Sequence, residues 1–94
     1  MRIDRLIFRT HALRRMFERG VSEIDVRAIL EDGEVIRDYP DDRPYPSRLI
    51  LGWRNGHPLH VVAAETTAGE WIIITVYEPT PDIWHTGFKT KRTP

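Results

Sequence analysis

Apolar positions repeat along this chain with two different periods, and the change falls at Gly33. Before it, in "THALRRMFERGVSEIDVRAILEDG", apolar residues recur every three or four positions. Ala12, Leu13, Met16 and Phe17 make one arc of a helical wheel, with His11, Arg14, Arg15, Glu18 and Arg19 opposite. Thr10 stands where an N-cap is wanted and Gly20 where a left-handed terminal residue is wanted, so a first helix is predicted between them. A second opens at Ser22, with Asp25 in the capping-box position and Val21 and Val26 as a hydrophobic staple. Ile24, Ile29 and Leu30 give its buried side, and Gly33 ends it. Ahead of both helices, "RLIFRT" reads as a short strand or extended lead-in, with Leu6 and Phe8 on one face.

After Gly33 the period drops to two, or to short apolar runs. "EVIRDY", "RLILGWR", "PLHVVAAE" and "WIIITVYEP" read as four strands. "PDDRPYPS" is a proline-rich loop, Asn55–Gly56 is a strong hairpin signal, and "TTAGE" turns the chain once more. The expectation is an α+β domain in two layers. A helical hairpin over residues 11–32 covers one face of a four-stranded antiparallel β-meander built from residues 34–79, with a short N-terminal strand as an option. The opposite sheet face finds no second layer in this pattern. Residues 1–94 are read as one domain, with an ordered core over about 5–85 and a flexible tail over 86–94.

Composition narrows the function classes. Ninety-four residues leave no room for a second core. Without cysteine there are neither disulfides nor thiolate metal sites. No apolar run is long enough for a signal peptide or a membrane span, so a cytoplasmic protein without membrane contact is expected. Fourteen basic and fourteen acidic residues cancel, but their placement is uneven. Six arginines face Asp4 and Glu18 in residues 1–19, whereas eight carboxylates face Arg27, Arg37 and Arg43 in residues 20–47.

The basic helix carries the candidate chemistry. His11, Arg15 and Arg19 are spaced by four, so their side chains rise along one face and repel by roughly 0.2–0.5 kcal/mol per like-charged pair. Glu18, four residues after Arg14, offsets part of that. Such a group is either a solvated basic face or a place for a phosphate, which arginine grips with a planar fork while histidine moves protons near neutral pH. In "WIIITVYEP", Thr75 and Tyr77 share a face because side chains alternate along a strand. Both are also ordinary strand formers. His57 reads as solvated, His60 as a half-buried structural histidine or a second proton carrier, and His85 lies in the tail. Four irregularly spaced histidines point to no metal and no cofactor, and "DYPDD" lacks the glycine and distal glutamate of an EF-hand. Tyr39, Tyr45, Trp53 and Trp71 are either stacking platforms for bases or core.

Three blocks, "HALRRMFERGVSEIDV", "GEVIRDYPDDRPYPSRLIL" and "LHVVAA" followed by "IIITVYEPTPDIW", resemble the family catalogued as domain of unknown function 4258. The resemblance covers about His11 to Trp84. That family is grouped with compact bacterial ribonuclease toxins whose fold is similar to RelE. The resemblance implies a catalytic set of His11, Arg15 and Thr75, with Arg19 and Tyr77 in support; Arg14 joins the substrate-binding set from the basic stripe. It further implies RNA as substrate, cleaved without metal, and an antitoxin-like protein partner. Toxins of this kind are strongly basic, whereas this chain is neutral and acidic in its middle, and no second general acid or base stands beside His11. A non-catalytic module that binds protein or RNA, in a regulatory or immunity-type role, is therefore the rival reading.

Overall fold

The computed structural model describes residues 5–92. Seven elements follow in order: β1 (Arg5–Phe8), α1 (Thr10–Arg19), α2 (Glu23–Asp32), β2 (Glu34–Tyr39), β3 (Ser47–Arg54), β4 (His57–Glu65) and β5 (Glu70–Tyr77). The strands form one five-stranded sheet in the order β1-β5-β4-β3-β2. The α+β class holds, but the expected four-stranded antiparallel meander is part of a mixed sheet. β2 to β5 are its antiparallel meander, and β1 adds a parallel strand against the far side of β5, with Phe8 opposite Ile73. Leu6 and Phe8 are thereby packed against the core.

Local chemistry explains the element ends. Ser22 and Asp25 close a reciprocal capping box at the start of α2, and Val21 and Val26 are both buried beside it. Gly20 ends α1 at φ 66°, ψ 29°, its N–H reaching back to Met16 and Phe17. Asn55 and Gly56 both have positive φ, as a two-residue hairpin turn with the native twist requires. The expected cap of α1 is displaced by one residue: Arg9 occupies the N-cap without a side-chain bond, and Thr10 is already helical.

The helices do not form a packed hairpin. α1 lies on β5, α2 lies on β3 and to a lesser degree on β4, and the two scarcely touch each other. The core between helices and sheet is built from Ala12, Met16, Val26, Ile29 and Leu30 above, and from Ile50, Leu59, Val61, Ala63, Trp71, Ile73 and Val76 below. Because α1 rests on a single strand, only two positions four apart, Ala12 and Met16, are buried along it. Leu13 (50%) and Phe17 (89%), expected inside, are exposed, as is Ile24 (79%) at the first turn of α2.

The opposite face is not bare either. Residues 80–92 fold back over it, held by a bridge between Trp84 and Lys91 and by bonds from His85 N–H to Thr90 and Arg92 N–H to Ile83. Trp84 is buried and meets His60 at right angles, 4.4 Å between ring centres. Within the segment expected as a flexible tail over 86–94, Phe88, Thr90 and Arg92 take part in backbone bonds; residues 93 and 94 lie outside the described residues. This strap supplies the second layer that alternation along the strands alone does not reveal.

Candidate active site

β1 leaves the sheet at Phe8, and Arg9 N–H makes one last bond to the Ile73 carbonyl at 3.1 Å before α1 begins. Beyond Ile73, β5 has a strand neighbour on the β4 side alone, and α1 lies against it there. Just past this point the β4–β5 register slips: Ala63 faces Ile73 while Val62 faces Thr75, leaving Ile74 as the extra residue of a bulge. Bulges re-aim side chains locally. His11, in the first turn of α1, meets Thr75 here, with Nε2 3.0 Å from Oγ1. The contact joins residues 64 positions apart in the chain and remains open to solvent.

The rest of the basic stripe follows α1 away from that contact. Arg15 Nη1 lies 3.3 Å from Glu18 Oε2, both side chains about half exposed. Glu18 thus serves Arg15, not Arg14 as spacing alone suggested; such an exposed pair contributes under about 1 kcal/mol. Among the described residues the side chains of Arg14 and Arg19 have no ionic partner. At the far end of the helix, Arg54 from β3 donates to the carbonyls of Gly20 (3.0 Å) and Arg19 (3.3 Å), and its Nη1 lies 3.5 Å from Asp25. A cation there suits the negative end of a helix. Arg19 itself lines a cleft of about 530 Å³ with Glu18, Arg54, His57 and Glu78. Since His11 touches Thr75 and Arg19 shares this cleft with Glu78, the stripe runs alongside the C-terminal half of β5.

Tyr77 shares the face of Thr75 but is occupied. Its hydroxyl is 3.1 Å from His60 Nδ1, and His60 Nε2 is 2.8 Å from the carbonyl of Phe88. A carbonyl only accepts, so Nε2 carries the proton. Burial holds the imidazole below its ordinary pKa of 6.5, the Phe88 bond opposing, so the ring is neutral and Nδ1 accepts from the phenol. Burial likewise pushes the Tyr77 phenol up, the neighbouring Tyr39 adding to this and Arg37 opposing it. With its proton committed to His60, Tyr77 offers a phosphate only lone pairs, although its ring and its acceptor capacity remain. His60, expected half-buried, is fully enclosed.

The remaining candidates are placed as follows. His57 is exposed, with Nδ1 3.7 Å from Glu78, and His85 is exposed on the strap. Trp71 is core, while Trp53 is 56% exposed and stands edge-on to Phe88. Among the described residues no group of three His, Asp or Glu side chains is arranged to hold a metal ion, and no helix is long and apolar enough to cross a membrane. Arg54 is the participant that local sequence reading missed, and the partners of His60 were not legible there either. Their hydrogen-bond partners lie 17 to 35 positions away, which no local periodicity encodes.

The fold and this site define a small α+β protein with a histidine–threonine contact beside an arginine-lined helix. The chain belongs to the family described as domain of unknown function (DUF4258), whose pattern matches residues 8–78 and so spans both helices and β2 to β5, with only Phe8 of β1. No curated protein and no solved structure matches it significantly.

Proposed function

We propose that this protein is a metal-independent endoribonuclease of the RelE-like bacterial toxin type, cleaving RNA by attack of the 2′-hydroxyl on the adjacent phosphate. The observation that carries this reading is the 3.0 Å contact of His11 with Thr75 at the head of the arginine stripe. Thr75 orients the imidazole through its hydroxyl. With Nε2 donating to Thr75, Nδ1 is bare and takes the 2′-hydroxyl proton as base; the imidazolium so formed keeps its bond to Thr75 and passes that Nδ1 proton to the leaving 5′-oxygen. Arg15 follows His11 by one helical turn, and its guanidinium exchanges Glu18 for the phosphorane as charge develops. Arg14 and Arg19 hold flanking phosphates, and Tyr77 contributes its ring. The 2′-oxygen–phosphorus bond forms as the phosphorus–5′-oxygen bond breaks, giving a 2′,3′-cyclic phosphate and a 5′-hydroxyl. Purified protein incubated with mixed RNA and a chelator tests this directly.

A second reading, a non-catalytic binding module with an antitoxin-like or other protein partner, is favoured by one observation: Phe17 and Leu13 stand exposed one turn apart on α1. Protein that binds RNA or a partner but yields no cyclic-phosphate ends would support it.

A further inference from the structure

A groove lies at the β3 side of the sheet, away from His11. It holds about 610 Å³ between one face of α2, the end of β3 and the strap. Asp25, Ala28, Ile29 and Asp32 line its α2 wall, at the spacing of one helix face. Gly52, Trp53 and Arg54 form its floor, and Lys89 its far rim.

The floor is an unpaired strand edge. β2 begins at Glu34, opposite Leu51, so past Leu51 the strand β3 pairs with β4 alone. The two-residue turn at Asn55–Gly56 makes Arg54 and His57 a hydrogen-bonded pair, so Trp53 and Pro58 form the next, non-hydrogen-bonded pair. Pro58 has no N–H, in keeping with that assignment. The N–H and C=O of Trp53 therefore point away from β4 and into the groove.

Charge and apolar surface divide between its two sides. α2 ends in Glu31 and Asp32, with no basic residue in the last turn. Two carboxylates at the negative end of a helix are unfavourable. Asp25 is engaged by Ser22 and Arg54, and Glu34 by Lys89 at 2.9 Å, whereas Asp32 has no ionic partner among the described residues. Across the edge, the exposed Trp53 ring offers an apolar surface guarded by Lys89, which repels a second cation.

We propose that this groove binds an extended segment of a partner protein that alternates cationic and apolar side chains. The segment adds to the β3 edge through the Trp53 backbone, in line with β2. Alternate residues project to opposite sides: cations to Asp32, apolar side chains to Trp53. The inference does not rest on the ribonuclease reading, whose His11–Thr75 contact lies on β5, although Arg54 lines both this groove and the Arg19 cleft.

The test is titration of the isotope-labelled full chain, followed by amide resonances, with two end-capped hexapeptides: one alternating arginine and leucine, the other glutamate and leucine. Expected are shifts of the Gly52, Trp53 and Arg54 amides and of the Trp53 indole by the arginine peptide. Affinity should fall at least tenfold in Asp32→Lys and for a backbone N-methylated arginine peptide. Asp32 is exposed, so the variant's own spectrum reports directly that it is folded. Absence of shifts at Gly52–Arg54 at millimolar peptide, equal binding of the glutamate peptide, or affinity indifferent to both Asp32→Lys and N-methylation would each overturn the proposal.

Discussion

Single side chains decide the chemistry at two places. At the first, Thr75→Val keeps the shape of the side chain and removes the hydroxyl facing His11. Thr75 is only partly buried, so loss of this hydrogen bond costs stability no more than about 0.5–1.5 kcal/mol. RNA cleavage, by contrast, should drop while thermal unfolding hardly moves; equal cleavage by Thr75→Val and wild type would separate Thr75 from the reaction. At the second, His60 is enclosed and neutral, its pKa held below 6.5. The unfolded chain then binds more protons than the folded one as pH falls below 6.5, so stability is full above that value and declines beneath it. Urea midpoints of the wild type should therefore fall between pH 7 and pH 5 more steeply than those of His60→Gln. Identical slopes would contradict the buried, neutral assignment.

At the scale of elements, the helix termini make a controlled comparison. α2 carries a complete capping box, and Ser22→Ala should lower stability by about 0.5–2 kcal/mol. α1 has Arg9 at its N-cap, extended at φ −72° and ψ 152° but without a side-chain bond, and no acidic residue in its first turn. Arg9→Asp should therefore raise the melting temperature, through a new cap and a favourable dipole interaction. A fall would show that Arg9 serves a contact of its own. These elements also mark what was legible in the sequence. The capping box, the staple, the Gly20 terminus and the Asn55–Gly56 turn are local signals, and each stands where the pattern put it. The apolar arc of α1 was misleading because its burial depends on what lies beneath. Over a single strand, a helix hides Ala12 and Met16 and leaves Leu13 and Phe17 outside. Likewise, "RLIF" reveals a strand but not its partner, so the parallel pairing of β1 with β5 had to come from the fold. The His11–Thr75 proximity is likewise set by that pairing and by the bulge at Ile74.

At the scale of the whole molecule, the His11–Thr75 contact lies on β5 and the α2 groove at the β3 side of the sheet. Arg14, Arg15 and Arg19 of the basic N-terminal third stand on α1 beside the C-terminal half of β5, and the acidic middle places Asp32 and Glu34 at the α2 groove. A neutral total charge is thus compatible with a locally basic surface for RNA, whose phosphates respond to nearby arginines and less to the sum. The strap joins these regions to a common core, because Trp84 and the Phe88 carbonyl close over His60. Trp84→Ala should cost about 3–5 kcal/mol and expose Tyr77 by freeing the His60 ring; a small loss with unchanged Tyr77 accessibility would show that the strap merely rests on the sheet. The central claim, that His11 moves a proton in RNA cleavage, is met most directly by analysing the ends of RNA fragments formed in chelator by wild type and His11→Ala. The account predicts 2′,3′-cyclic phosphate ends from the wild type, formed roughly 10²–10⁴-fold more slowly by the variant. Wild-type protein that leaves RNA intact, or cleavage indifferent to His11→Ala, would contradict it.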